Sequence, residues 1–217
     1  MPTFTSKIRK MPQKSLMGIL YFAAGMFLFA AVDTIAKVLT ESLHPLQVAW
    51  SRQLGLFIGI IILLVIKGTV ILKTDHFYLQ VLRGCLAAAS ALMFIFAISV
   101  VPIADAVAVS FVAPFFVTIL GALVLRERVG VRRWTAIAIG FIACLVIIRP
   151  GFSSFEPAVL LVVIAALAYA FRQIVSRILS SSDLTMTTVA YTGLTASFLL
   201  STPLPLVWRT PVGNKEF

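Results

Sequence analysis

Long apolar stretches separated by short basic turns dominate this chain and limit what it can fold into. The clearest case is residues 101–151, where two apolar runs flank a turn that contains Arg126, Glu127, Arg132 and Arg133. The hydrocarbon core of a bilayer is roughly 30 Å thick, so about 20 apolar residues are enough to cross it as a helix. Each of the two runs therefore predicts a membrane-spanning helix.

The composition of the chain also indicates a membrane protein. Of 217 residues, 60% are hydrophobic and 12% are charged, whereas about a quarter of the residues in soluble domains are charged. The formal net charge is +10, but the basic residues form short clusters between apolar runs. That pattern is typical of membrane topology and not of a nucleic-acid surface. We therefore expect an all-α integral membrane protein whose partners are the lipid bilayer and a small molecule, with no nucleic acid.

The apolar runs predict about seven transmembrane helices. They lie at residues 16–39, 46–66 and 84–100, as a pair within residues 101–151, and at residues 157–179 and 185–208. Because Lys and Arg concentrate in cytoplasmic loops, the basic turns place the N-terminal segment, residues 1–15, in the cytoplasm. Small residues at 84–91 would let another helix approach the third span closely. Pro114 is expected to kink the fourth span, because it removes one backbone hydrogen bond.

Two segments about 140 residues apart resemble each other, residues 29–39 and residues 169–179. Each has a polar pair in mid-helix and a basic residue before an aliphatic pair. Five predicted spans separate the two segments, and an odd number of crossings inverts the second copy, as in many secondary transporters. We therefore predict one complete five-helix repeat at residues 16–151 and the first two helices of an inverted second repeat at residues 157–217.

Ionisable residues inside spans are the main functional candidates, because a charge at the bilayer centre costs at least about 2.5–3.5 kcal/mol. Asp33 and Arg52 lie near the outer ends of the first two spans, roughly 9 Å below the surface. They could form an ion pair that holds the two helices together, or bind the two ends of a zwitterion. Arg172 and Gln173 occupy the matching place in the second copy, nearer the cytoplasm, where Arg172 could instead extend to the inner headgroups.

Aromatic side chains in the spans are further candidates for a substrate pathway. A planar solute could stack on them, although each taken singly is more often ordinary packing. These residues are Trp50, Phe94, Tyr169 and Tyr191.

The sequence lacks the common signatures of catalysis. We find no Gly-rich phosphate loop, no Ser/His/Asp set and no HExxH motif. Cys85 and Cys144 each fall inside a predicted span, apart from any second ligand. We therefore expect no enzyme activity, no metal site and no cofactor.

Several motifs in and around residues 101–151 resemble the EamA domain of the drug/metabolite transporter superfamily. They are Ala104-Asp105-Ala106, Ala113-Pro114-Phe115-Phe116, Leu125-Arg126-Glu127-Arg128-Val129-Gly130, Arg132-Arg133-Trp134 and Arg149-Pro150-Gly151. The resemblance implies ten helices in two inverted repeats, a central cavity open alternately to each side, and a carrier in the bacterial inner membrane. Leu43-His44-Pro45, Arg52 and Trp208-Arg209-Thr210-Pro211 are most like the branch that includes S-adenosylmethionine uptake carriers.

Three functional hypotheses follow. The first is a secondary transporter that moves a small polar metabolite, of S-adenosylmethionine type, by alternating access. The second is a seven-helix receptor or light-driven pump, although the seventh span has no Lys for a Schiff base. The third is a non-transporting membrane fragment or subunit, because the resemblance implies further spans and this chain looks truncated. A missing C-terminal part or a homo-oligomer would then complete it.

Overall fold

Helices account for most of the chain that the structure describes. The computed structural model describes residues 13–127, 129–148 and 157–208. Along these ranges the elements are α1 Gln13–Leu39, α2 Pro45–Lys67, a 3-10 turn Thr69–Leu72, α3 Phe77–Val100, α4 Ile103–Ser110, α5 Ala113–Val124, α6 Val131–Ile148, α7 Ala158–Leu179, α8 Thr185–Ser201 and α9 Leu204–Val207. No strand occurs in these ranges, and the predicted all-α membrane fold is confirmed.

Five segments of the described ranges are long and apolar enough to cross a membrane. They are Met17–Leu39, Pro45–Lys67, Phe77–Val100, Ile103–Val124 and Ala158–Leu179. They match the first, second, third, fourth and sixth predicted spans. The fifth and seventh predicted spans correspond to α6 and α8, with 18 and 17 residues, and their crossing of the membrane stays a prediction.

The chain divides by its internal contacts into residues 1–35 and residues 36–217. The first unit contains most of α1, and the second contains all later elements. Part of the predicted N-terminal segment, the connection at residues 149–156 and the residues after Trp208 lie outside the described residues. The predicted boundary between the two repeats falls in that connection, so the division into repeats stays a prediction.

The fourth predicted span is two helices, α4 and α5. Phe111 and Val112 separate them, with amides that donate to the carbonyls of Ala108 and Val109 at 3.2 and 3.0 Å. Pro114 lies in the first turn of α5, where its missing N–H and fixed φ are tolerated. The irregularity predicted at Pro114 is therefore a two-residue interruption just before the proline, at which Phe111 and Val112 keep right-handed helical backbone angles.

Within the second unit, α3 packs against α7, α8 and α2. Its contact with α8 is very close at Gly84, where an added Cβ would lie 2.5 Å from the Cβ of Thr195. A glycine on α8, Gly193, faces Leu56 and Ile60 of α2 in the same way. The small residues predicted to allow a close approach do so at Gly84, and α8 fits between α2 and α3 as a result.

Side chains complete the hydrogen bonding of two helix ends. His44 accepts the amide of Leu46 on Nδ1 at 3.2 Å and caps the start of α2. Lys37 donates from Nζ to the carbonyls of Ile98 and Val101 at 2.6 and 3.3 Å. Those carbonyls lie at the C-terminal end of α3, where the helix dipole favours a cation.

The turns after α1 and α7 have the same backbone course, although they lie about 140 residues apart. In each, the fourth residue of the turn donates its amide to the carbonyl of the last helical residue; the pairs are Leu43 to Leu39 and Asp183 to Leu179, both at 2.9 Å. The fifth residue is extended in both, with φ −64° and ψ 137° in the first turn and φ −70° and ψ 144° in the second. The two turns, residues 40–44 and 180–184, directly follow the two similar segments, residues 29–39 and 169–179.

Candidate functional site

Polar side chains gather between α3, α7 and α8 at one end of these helices. The start of α3, the end of α7 and the start of α8 meet there, at the end that the basic turns predict to be cytoplasmic. We call this group the polar cluster; its members are Thr74, Gln80, Arg83, Tyr169, Arg172, Gln173, Ser176, Asp183, Thr188 and Thr192. Several of them lie inside helices that are apolar enough to span a membrane, where polar groups mark functional sites by default.

The carboxylate of Asp183 connects the α7–α8 turn to the start of α3. Its Oδ2 atom accepts a hydrogen bond from the Thr74 hydroxyl at 2.6 Å and another from Gln80 Nε2 at 2.6 Å. Gln80 also donates to the Thr188 hydroxyl at 3.3 Å and is fully buried, at 0% exposure. Its Oε1 atom is buried with no hydrogen-bond partner. Such an acceptor costs free energy unless a donor reaches it, so this part of the cluster has capacity for one more polar group.

Arg83 is held by neutral acceptors. Its Nε atom donates to the Ser176 hydroxyl at 2.7 Å, and Nη1 donates to the Thr192 hydroxyl and, at 3.5 Å, to the Thr188 carbonyl. The Ser176 hydroxyl in turn donates to the carbonyl of Arg172 at 2.7 Å. These bonds fix the guanidinium group between α7 and α8 but do not neutralise its charge.

Arg172 is linked to Arg83 through the Ser176 hydroxyl and is stacked on an aromatic ring. Its guanidinium carbon is 4.7 Å from the centroid of the Tyr169 ring, a cation–π geometry, and Gln173 Nε2 donates to the Tyr169 hydroxyl at 3.2 Å. Among the described residues, the buried Arg172 Nε has no hydrogen-bond partner. The cluster therefore combines two cations, the carboxylate of Asp183 and several neutral hydrogen-bonding groups, an arrangement that suits a polar solute.

A shallow cavity of about 240 Å³ opens beside the cluster. It is lined by Val117, Gln173, Ser176, Arg177 and Ser180. Its volume is below the range of roughly 300–1,000 Å³ that is usual for small-molecule pockets. The cavity can therefore hold one end of a metabolite.

An ion pair stands at the edge of this cavity. Arg177 Nη1 lies 2.9 and 3.1 Å from the two carboxylate oxygens of Glu127, and Arg133 lies 4.0 Å from the same group. The side chains of Arg177 and Glu127 are 41% and 40% exposed. Arg126, with φ 53°, takes the left-handed conformation that ends α5 and turns Glu127 toward α7.

Of the residues predicted from the sequence, three come together in this cluster: Tyr169, Arg172 and Gln173. Arg52 lies in the second turn of α2, near the opposite end of the helices, and is partly buried. Asp33 belongs to the other unit, residues 1–35. The predicted approach of Asp33 to Arg52 stays a prediction.

The other three aromatic candidates lie elsewhere in the second unit. Trp50 donates from Nε1 to the Ser201 hydroxyl at 2.8 Å. Tyr191 donates its hydroxyl to the carbonyl of Leu72 at 3.0 Å, near the polar cluster but outside it. Phe94 is partly buried and packs against the apolar core. In these contacts all three stabilise helix packing.

Sequence reasoning missed Gln80, Arg83 and Asp183. The third span was predicted to begin at residue 84, which placed Arg83 in a cytoplasmic loop, but α3 begins at Phe77. Gln80 and Arg83 are three residues apart and therefore share a helix face, a spacing that could have revealed them. Asp183 is 103 residues from Gln80, and only the fold brings the two together.

The described part of the chain contains no group of three or more His, Cys, Asp or Glu residues that could hold a metal ion. The donors in the polar cluster are guanidinium, amide and hydroxyl groups.

Comparisons with known proteins bear on the whole chain. The family model described as the EamA-like transporter family matches residues 16–149. The S-adenosylmethionine uptake transporter of Rickettsia prowazekii is 27% identical over 197 residues, which cover 90% of this chain and 67% of that protein. The riboflavin transporter of Vibrio cholerae is 32% identical over 209 residues, 92% of this chain and 68% of that protein. The pseudopaline exporter of Pseudomonas aeruginosa is 25% identical over 193 residues, 88% of this chain and 66% of that protein. No solved structure matches.

Proposed function

Because this chain belongs to the EamA-like transporter family, we propose that it is a secondary carrier that moves a small polar metabolite across the bacterial inner membrane. In this proposal the carrier works by alternating access, opening a central pathway first to one side and then to the other. The N-terminus is cytoplasmic, as the basic turns predict. The receptor or pump hypothesis has no support in the comparisons.

The observation that carries this proposal is the polar cluster. Charged groups within membrane-spanning helices are costly and usually face a pathway. Arg83 lies in the second turn of α3, and Arg172 lies about two turns before the end of α7. A purely structural helix contact could have used apolar residues at these positions with less cost.

Arg52 is the proposed polar group at the opposite end of the pathway, and Asp33 of the first unit stays a proposed pathway residue in its own right. Two polar stations, one near each end of the helices, are what alternating access needs. The matching turns at residues 40–44 and 180–184 support a repeat, and the five predicted spans between the copies would invert the second one.

The substrate class follows from the relatives and the cluster together. Relatives are named as carriers of S-adenosylmethionine, riboflavin and pseudopaline, which are all polar metabolites. We propose an S-adenosylmethionine-like substrate, since Tyr169 offers an aromatic surface beside the arginines.

The competing hypothesis is a chain that does not transport by itself. The chain spans about two thirds of the length of its relatives, and further helices or a second copy would then complete the cavity. Uptake by the purified chain alone distinguishes the two hypotheses.

The test is uptake of radiolabelled S-adenosylmethionine and riboflavin into proteoliposomes, with and without a proton gradient. We expect Arg52→Ala to abolish uptake while membrane insertion and yield stay normal. Arg132→Ala is the matched control, because Arg132 is exposed in the first turn of α6 and its loss should leave uptake unchanged. Normal uptake by the Arg52→Ala variant removes this residue from the mechanism. No uptake of any labelled metabolite by the unaltered chain favours the non-transporting hypothesis.

A further inference from the structure

We propose that Arg83 and Arg172 together bind a carboxylate of the transported metabolite, so that the substrate is an organic anion or a zwitterion. This inference rests on the proposed function and adds the chemical group that the polar cluster recognises. The inference favours one of the relatives' substrates over another, because S-adenosylmethionine carries a carboxylate and riboflavin does not.

The first argument is the charge of the cluster. Arg83 donates to two hydroxyls and a carbonyl, and Arg172 stacks on Tyr169. In the part of the chain that the structure describes, the ion pairs at the cavity edge join Glu127 to Arg133 and Arg177 instead. Two cations in one polar cluster, joined through Ser176 and without an ion-pair partner among the described residues, attract an anion.

The carboxylate of Asp183 already accepts hydrogen bonds from other residues of the cluster. Its Oδ2 atom accepts from both Thr74 and Gln80 at 2.6 Å, so it ties the α7–α8 turn to the start of α3. Asp183 lies in the same cluster but makes no ion pair with either arginine in the described residues. Among the described residues no carboxylate forms an ion pair with either arginine, so a bound anion would supply the counter-charge.

The second argument is the availability of donors and space. Arg172 Nε is buried and has no hydrogen-bond partner, and guanidinium groups bind carboxylates with paired donors. Ser176, which accepts from Arg83, also lines the cavity of about 240 Å³. That volume fits a carboxylate and its neighbouring atoms, with the rest of the metabolite directed toward the pathway.

The phosphate of a lipid headgroup shares this oxyanion chemistry. The contacts favour a solute, because Arg83 is held between α7 and α8 by Ser176 and Thr192 and not directed at the outer surface of the helices. The experiment therefore includes an arm that detects bound lipid.

The experiment compares acids with their decarboxylated amines. The purified chain is titrated in non-ionic detergent with S-adenosylmethionine, histidine and lysine, each beside the same molecule without its carboxylate, and binding is followed by calorimetry. We expect at least one acid to bind about 10- to 100-fold more tightly than its amine, as the strength of charge-assisted hydrogen bonds indicates. We expect Arg83→Gln and Arg172→Gln to remove that preference, and Arg172→Lys to retain part of it because it keeps the charge.

Arg132→Gln is the matched control and should bind like the unaltered protein. Gel filtration shows whether each variant is folded, and the Arg172→Lys variant keeps the test decisive if a Gln variant aggregates. Equal binding of acid and amine in all three pairs overturns the inference. So does native mass spectrometry that finds a phospholipid held by the two arginines while solute binding is unchanged in their variants.

Uptake separates this inference from the proposed function. If the chain transports riboflavin and neither Arg83→Gln nor Arg172→Gln affects that transport, the proposed carrier function is supported. The proposal that the two arginines bind a carboxylate of the substrate is then refuted. Preferential binding of an acid without uptake into vesicles would support the site and contradict transport by this chain alone.

Discussion

Replacing Gly84 by alanine should push α3 and α8 slightly apart and lower the stability of the fold. The new Cβ would lie 2.5 Å from Thr195 Cβ and 2.9 Å from its Cγ2, whereas carbon atoms pack at about 3.5–4.0 Å. The Thr195 Cβ is bonded directly to the backbone and cannot rotate away. The helices must therefore move apart by about 1 Å, and overpacking of this kind typically costs about 1–3 kcal/mol.

The matched control is Gly59→Ala on α2. An added Cβ at Gly59 meets nothing within 4 Å, so this variant gains the same helix propensity, at most about 1 kcal/mol, without the collision. The free energy of unfolding is measured for both variants by titration with sodium dodecyl sulfate in mixed micelles, followed by circular dichroism. We expect Gly84→Ala to be less stable than Gly59→Ala by about 1–3 kcal/mol.

A second substitution tests the cause directly. Thr195→Gly removes the Cβ that the new methyl group at position 84 would strike, so the double variant Gly84→Ala with Thr195→Gly should recover much of the loss. A double-mutant cycle measures this coupling. A Gly84→Ala variant as stable as the control, or a coupling within about 0.5 kcal/mol of zero, would refute the close contact between α3 and α8.

Two other contacts give predictions with the same unfolding assay. Lys37→Met removes a cation from the carbonyls of Ile98 and Val101 and should cost about 1–2 kcal/mol, while Lys37→Arg costs less; equal stability of the two variants would argue against this cap. Arg177→Ala breaks the half-exposed ion pair with Glu127 and should cost only about 0.2–1 kcal/mol, less still in high salt. A loss of stability that is much larger, or independent of salt, would contradict the small contribution to stability that is expected of this ion pair.

The spans could be predicted because apolar length is a local property of the sequence. The segment Ile103–Val124 is long and apolar enough for the one crossing that was predicted there, but it is divided into α4 and α5 just before Pro114. A proline in an apolar run indicates a disturbance, and the sequence does not say whether that disturbance is a bend or a break. The outcome depends on how the neighbouring helices hold each half.

The candidate site could be predicted only in part. Arg172 and Gln173 are visible in the sequence because apolar residues surround them. Arg83 is not recognisable in this way. It comes soon after the basic and polar residues of a turn, and the sequence does not show where that turn ends and α3 begins. The role of Asp183 depends on contacts with Thr74 and Gln80 that are 109 and 103 residues away, and no local pattern encodes them.

The matching turns at residues 40–44 and 180–184 can be compared with each other within one molecule. Their backbones follow one course, but Leu43 in the first is replaced by Asp183 in the second, and Leu43 packs on the apolar core where Asp183 accepts hydrogen bonds. Any difference between them in amide hydrogen exchange therefore reports side chains and surroundings, with backbone geometry held constant. A single exchange experiment on one polypeptide can thus compare how readily each end of the helices loosens, without a second protein as standard.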